Sequence, residues 1–418
     1  MFDVNAFDPN LTDQSDLRGG QAPWQTDLPG FVTKGTAHSL RCEVLVVGGG
    51  ITGSLVAEHL TRRGHNVCII DREKPGFGST AASTAMLQWE IDCPLSELTE
   101  FYGFERAANI YRRSFEAVSG LKALVYDLAL PCAFRDRSSL YIASGNTGSR
   151  ELSLEHKLRQ RAGLPGVFLD QPTLKEHFGF DREAAILSPG SADADPLRLA
   201  HALITSAVTR GAKLLDAEAI AYDNIGSGVV VTLDSGHVIE AKKVVLATGY
   251  VMPDFVKTDL HKIASSWAIA TPPQKKANLW RDEVLVWEAS EGYLYARTTA
   301  DGRIVIGGED DESAMNPEER DRLMPEKAKI ILNKLAKLWP QADARADFIW
   351  SGAFGETEDG LPLIGQVPGH PNIYAAYGYG GNGITFSLLA SRLIARMLAG
   401  DREPWFNEFA LDRPRPTA

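Results

Sequence analysis

Residues 42–71 read CEVLVVGGGITGSLVAEHLTRRGHNVCIID, and this stretch decides the fold. Positions 44–47 are a short apolar run, the pattern of a parallel strand buried on both faces. Gly48, Gly49 and Gly50 then interrupt it. Over 51–63 the apolar residues Ile51, Leu55, Val56 and Leu60 recur at helical spacing, and Gly64 can end that helix. A second buried strand over 67–70 is closed by Asp71. Strand, turn, helix and strand within about 30 residues have the length of a βαβ unit, so the fold class is α/β.

The glycine spacing has a chemical reason. Gly48 allows the tight turn, Gly50 lets the backbone approach a pyrophosphate that no Cβ would tolerate, and Gly53 lets the helix pack close to the strand. Ile51 and Thr52 open the helix, whose unpaired N–H groups and partial positive charge face the phosphates. Asp71, with Arg72 beside it, stands at the strand tip where a ribose 2′-OH is bound. A glycine-rich turn in a ligand-free domain is the bland alternative; strand, helix and terminal acid in register favour a dinucleotide.

Working outward, 418 residues exceed one typical core, so two domains are expected. The net charge of −11 argues against nucleic acid and anionic membrane as partners. Cys42, Cys68, Cys93 and Cys132 show no CxxC pairing, so neither a disulfide nor a metal site is expected. The first 20 residues are polar and acidic, unlike a signal peptide, and no apolar run is long enough to span a bilayer. These features predict a cytoplasmic protein.

Residues 1–40 carry Gly19, Gly20, Pro23, Pro29 and Gly30 with little periodicity and read as an extended arm, with Trp24 and Phe31 able to dock on the body. After the nucleotide unit comes GFGSTAASTAMLQWEID, 76–92. Gly78, Ser79, Thr80, Ser83 and Thr84 suit phosphate or ribityl oxygens, and Ala81, Ala82 and Ala85 permit close approach of a flat ring. A capped helix start at Ser79 or Thr80 is compatible with that. Helical periodicity runs over 95–130, 151–161, 197–210 and 318–339. Strands are expected at 139–143, 212–215, 228–233, 237–241 and 242–246, the last ending at Ala247, Thr248 and Gly249. Ligands lie beyond such strand ends in a doubly wound sheet, so Thr248 and Gly249 are a second cofactor contact. The region 267–308 is strand-like, with a turn at Asp301-Gly302 and the aromatics Trp267, Trp287, Tyr293 and Tyr295, which pack a sheet or roof a pocket. Near the C-terminus a strand enters YGYGGNGIT, 377–385, before a helix over 386–398; Gly380, Gly381, Asn382, Gly383, Ile384 and Thr385 form a second anion-binding geometry.

GGGITG, Asp71, the GxGST at 76–80, ATG at 247–249, TEDGLPLIG at 357–365 and GYGGNGIT, in that order, resemble the FAD-dependent D-amino-acid oxidase superfamily, whose branches include glycine oxidase, sarcosine oxidase and γ-glutamylputrescine oxidoreductase. The resemblance runs from about Pro23 to Pro404. It implies FAD, where the fingerprint alone does not separate FAD from NAD. It also implies a Rossmann-type FAD-binding domain in pieces (41–95, 186–255, 346–418) and an inserted α+β substrate domain (96–185, 256–345) on a largely antiparallel sheet. The implied chemistry removes hydride from the carbon beside an amine nitrogen to flavin N5, giving an imine, with oxygen or another acceptor taking the electrons.

Two departures bear on substrate. Where glycine oxidase-like members carry an arginine for the substrate carboxylate this chain has Phe354, and where sarcosine oxidase-like members carry a lysine it has Thr385. An amine without an α-carboxylate is therefore favoured, or one whose carboxylate is held by Lys262 or Arg297. D-amino acids and N-methyl amino acids stay open as substrates, as do a flavin monooxygenase and a non-catalytic flavoprotein subunit. Ala82 and the region of Gly352 replace the residues that tether flavin in covalently linked members, so noncovalent FAD is expected. Gln88, Trp89, Tyr377 and Tyr379 flank the expected flavin contacts as candidate substrate residues, and Lys262 is a candidate for anchoring or oxygen activation.

Overall fold

In a computed structural model the described residues are 17–24, 28, 30, 31, 39–290, 292–312 and 316–416. The stretch 42–71 forms strand Leu40–Val47, helix Ile51–Arg62 and strand Val67–Asp71. These two strands lie side by side and parallel, Val44 opposite Val67. The sheet around them runs Leu363–Gln366, Ile373–Tyr377, Val238–Leu246, Leu40–Val47, Val67–Asp71, Lys213–Asp216, parallel along this path except for its first strand, and Val229–Leu233 and Ala219–Asn224 extend it antiparallel from Val238–Leu246. Val44 and Val46 point into a core shared with Leu55, Leu60, Leu199, Leu203 and Leu393, while Leu45 and Val47 point into a second core with Val229, Val231 and Ile239. A strand with apolar cores on both faces must be apolar at every position, because its side chains alternate.

The second sheet is larger. Its order is Arg18–Gly20, Phe348–Thr357, His261–Ala270, Ile304–Asp311, Leu294–Thr298, Leu285–Glu288, Arg135–Ile142, Ala184–Asp193, Met86–Leu87, with Val167–Asp170 also on Ala184–Asp193. The hairpin read at Asp301-Gly302 joins Leu294–Thr298 to Ile304–Asp311, and Gly302 has φ +83. The pairings of this larger sheet are antiparallel with one exception, which makes the sheet mixed. Leu285–Glu288 runs parallel to Arg135–Ile142, which the long intervening chain permits and a hairpin would not.

Besides the short Met86–Leu87, two longer strands of this sheet, Ala184–Asp193 and Phe348–Thr357, come from spans assigned from sequence to the nucleotide-binding part. Their serines and glycines hide the strand periodicity. Helix 95–130 divides into Leu95–Tyr102 and Phe104–Asp127 at Gly103, whose φ of +75 no helix accommodates. Of the expected arm, Arg18–Gly20 is an edge strand on Phe348–Thr357 and Trp24 is buried. Phe31 stacks on His201, while 1–16, 25–27, 29 and 32–38 lie outside the described residues. No helix among the described residues is long and apolar enough to cross a membrane.

Candidate functional site

A cavity of about 700 Å³ opens at the carboxyl end of Leu40–Val47 and runs to the larger sheet. At one end stands the glycine turn, where three glycines do three different things. A Cβ on Gly48 (φ +102) would meet Ala247 O at 2.4 Å, and one on Gly53 would stand 1.8 Å from Gly48 O; neither is sterically admissible. On Gly50 a Cβ would meet only Thr80 Oγ1, at 3.2 Å, so the protein itself does not demand that glycine. Gly50 lines the cavity, and the helix behind it has no side-chain cap. An open approach to the helix's first turn, where a side chain from another loop engages the Ile51 amide, fits a diphosphate.

Asp71 holds this turn from the next strand. Gly49 N–H donates to its Oδ2 at 2.7 Å and Glu73 N–H to its Oδ1 at 3.0 Å. Burial pushes its carboxyl above the ordinary range, against those two amides. Asp71 and Arg72 both line the cavity, with Arg72 Nη1 3.5 Å from Glu218. Ile51 N–H donates to Thr80 Oγ1 at 2.9 Å, so the second loop is tied to the helix start. Ser79 Oγ is buried with no partner beside Gly249, a polar atom suited to a ligand oxygen. Gly78, Ser83, Thr84 and Thr248 line the same wall.

The loop after Ser79–Ala82 is pinned through its carbonyls. Trp24 Nε1 donates to Ser83 O (2.9 Å), Trp350 Nε1 to Ala82 O (2.9 Å) and Arg297 Nε to Thr84 O (2.5 Å). Arg297 also donates to Ala194 O, lies 3.5 Å from Asp193 and sits over the Trp24 ring. It is fully buried and committed to the scaffold, outside the cavity, so it is not the carboxylate anchor considered from sequence.

The C-terminal turn divides the candidate residues. Gly380, Gly381, Gly383 and Ile384 line the cavity, while Asn382 and Thr385 do not. Those two fasten the strand behind it: Asn382 Nδ2 donates to Glu90 O (2.8 Å) and Thr385 Oγ1 to Gln88 O (2.8 Å). Gln88, held this way, lines the cavity with Nε2 buried and unpartnered. Tyr379 lines it too, its hydroxyl receiving a bond from Thr52 Oγ1 (3.2 Å), which also pairs with Ser387 Oγ (2.8 Å). Tyr377 faces away, edge-on to His261, and Trp89 is buried, donating to Pro189 O. Lys262 is corrected most: its side chain is 70% exposed, 3.4 Å from Glu312 and outside the cavity. Lys262 stands second in its strand, opposite Glu356, and its side chain leaves the sheet into water. Asp359 of TEDGLPLIG is likewise structural, paired with buried Arg413 at 2.8 Å and bonded by Tyr102.

The end of the cavity away from the glycine turn is acidic and aromatic. Asp92, which sequence reading passed over, opens onto the void and receives Gly381 N–H at 2.6 Å. Burial pushes its carboxyl up to about 6, with the Asp310 charge adding to the rise. Asp310, on Ile304–Asp311, accepts from the Tyr293 hydroxyl. Burial raises its pKa against the hydroxyls of Ser266 and Tyr293 and the charge of Lys327. Trp287, Tyr250, Tyr293, Tyr295 and Phe354 complete the wall. Asp92 follows the mixed stretch Gln88 to Ile91 and Asp310 stands in an acidic run, which reads as a solvated face; only the fold brings them to one cavity.

Comparison with known proteins fits this geometry. The sequence profile of the DAO family, described as FAD dependent oxidoreductase, matches residues 43–397. The γ-glutamylputrescine oxidoreductase of Escherichia coli (strain K12) is 28% identical over 382 residues, 89% of this chain and 87% of that protein. Glycine oxidase of Bacillus licheniformis is 23% identical over 89% of this chain and 98% of its own. In three dimensions the crystal structure of glycine oxidase from Geobacillus kaustophilus superposes with a TM-score of 0.77, covering 90% of this chain and 99% of that one at 22% identity.

Proposed function

The chain belongs to the DAO family of FAD dependent oxidoreductases, and from that premise we propose that it oxidises the CH–NH bond of an amine lacking an α-carboxylate. The carrying observation is the charge of the cavity. Among the described residues lining it Arg72 is the one basic side chain, and it stands beside Asp71 at the dinucleotide end. A carboxylate bound without a charge-assisted partner forgoes about 1.5–3 kcal/mol, an order of magnitude or more in affinity. Next to Asp92 and Asp310 it would meet like charge instead.

In this reading Gly50, Ile51, Thr52 and Ser79 hold the diphosphate, Asp71 the ribose, and Gln88 with the 380–384 turn the ring system. Bound FAD supplies the hydride acceptor, and the substrate leaves as an imine that water hydrolyses. The protein's share is positional. Thr52, Tyr379 and Ser387 lock the two helix starts together, and the aromatic wall encloses the reacting carbon and excludes water. Ala82 and the region of Gly352, where covalently linked members carry a tether, hold no histidine or cysteine, which supports noncovalent FAD. The sheet containing Leu40–Val47 carries the dinucleotide, and the larger sheet carries the substrate wall.

Anaerobic mixing of the holoenzyme with a panel of alkylamines, diamines, N-methyl amino acids and D-amino acids tests this through the visible flavin band. Bleaching by carboxylate-free amines is expected. Bleaching by D-alanine and by none of the amines would overturn the reading.

A further inference from the structure

We propose that Asp92 and Asp310 together seat a second, non-reacting ammonium group, so that the substrates are aliphatic diamines or polyamines. This rests on the amine reading above and names the class of amine. A nitrogen that gives up hydride from its neighbouring carbon must be uncharged, and two carboxylates would hold it in the protonated, unreactive form. Their partner is therefore a charge that persists through the reaction, on another nitrogen.

The surroundings support this. Asp92 and Asp310 come from distant segments, line one cavity and feel each other's charge, yet no ion pair among the described residues involves either. Lys327, the cation acting on Asp310, is engaged by Glu309 O at 3.0 Å and lies 3.5 Å from Asp311. Asp310 is half-buried, and its Oδ1 is shut from solvent with no hydrogen-bond partner. Two like charges lining one cavity and lacking a counter-ion are costly, and an ammonium relieves both at once. Tyr293, Tyr295 and Trp287 add ring faces for a cation and apolar surface for the methylene chain between the nitrogens.

The test compares 1,4-diaminobutane with n-butylamine, which has the same chain and one nitrogen fewer, in anaerobic reduction of the holoenzyme. The wild type should reach half-reduction rate at a diamine concentration at least about tenfold below that for butylamine. Asp92→Asn and Asp310→Asn, near-isosteric and still able to accept from Gly381 N–H and Tyr293, should shrink that preference to within about threefold, chiefly by weakening the diamine. Equal use of both amines by the wild type, or equal weakening of both in the variants, overturns the proposal while leaving the amine reading standing. Reduction by α-amino acids alone overturns both. Wild-type protein gives a second readout should a variant lose flavin: at pH 7 the diamine should raise the unfolding midpoint more than butylamine does, and equal shifts count against the seat.

Discussion

The two ends of the cavity are built from different materials. At the glycine turn the ligand is met by backbone: first-turn amides, a gap at Gly50, and Asp71 holding Gly49 N–H at 2.7 Å. At the far end it is met by side chains, Asp92 after Met86–Leu87, Asp310 and Tyr293 on or beside a hairpin, and Phe354 on the neighbouring edge of the sheet. Backbone recognition demands a contiguous conformation, hence a contiguous motif, whereas side-chain recognition is assembled by sheet pairing. The first is therefore shared widely among proteins handling one cofactor, and the second is free to specify a substrate.

Substitutions within the glycine turn sharpen that contrast most. Gly53→Val puts a branched side chain where even a Cβ would lie 1.8 Å from Gly48 O, and should cost about 3 kcal/mol or more of stability, with flavin lost alongside. Urea unfolding and the flavin-to-protein absorbance ratio measure both. Gly50→Ala, three residues earlier, should leave the apoprotein midpoint within about 2 °C of wild type, because the new methyl meets only Thr80 Oγ1. Its FAD dissociation constant should nonetheless rise at least tenfold, about 1.4 kcal/mol, by fluorescence titration. If both variants fail equally, Gly50 serves packing and not a ligand.

Burial raises a carboxyl at each end, Asp71 at the glycine turn and Asp92 at the acidic end, and the second is the one that faces the substrate. Asp92 faces the Gly381 amide, with Asp310, Glu356 and the tyrosines 250, 293 and 295 within its field. Its carboxyl is pushed up to about 6, so it is charged at pH 8 and neutral at pH 5. Diamine affinity should fall as pH drops through about 6, by up to about tenfold per unit. Binding titrations at four pH values would show it. A smaller effect is expected at Lys262: Lys262→Ala, removing an exposed group beside Glu312, should change stability by less than about 0.5 kcal/mol and leave flavin reduction by amines as in wild type.

The same distinction explains what the sequence made legible. GGGITG with its flanking strands located the cavity, because periodicity and glycine spacing are local properties. Asn382 and Thr385, in an equally glycine-rich turn, point at the Gln88 and Glu90 carbonyls instead of the cavity, since composition reports flexibility and not direction. Arg297 and Lys262 share a charge, yet one is fully buried on backbone carbonyls and Asp193 and the other is in water. Asp310 sits in GGEDDE, whose charge density reads as surface, and becomes a cavity wall only because Leu294–Thr298 and Ile304–Asp311 pair in register and bring Tyr293 to it.

The most direct measurement is a crystal structure of the holoenzyme with 1,4-diaminobutane bound. It should place the FAD diphosphate against the backbone amides of 50–52 and an ammonium within hydrogen-bond distance of Asp92. Phosphates held elsewhere, or a diamine bound away from both Asp92 and Asp310, would contradict it.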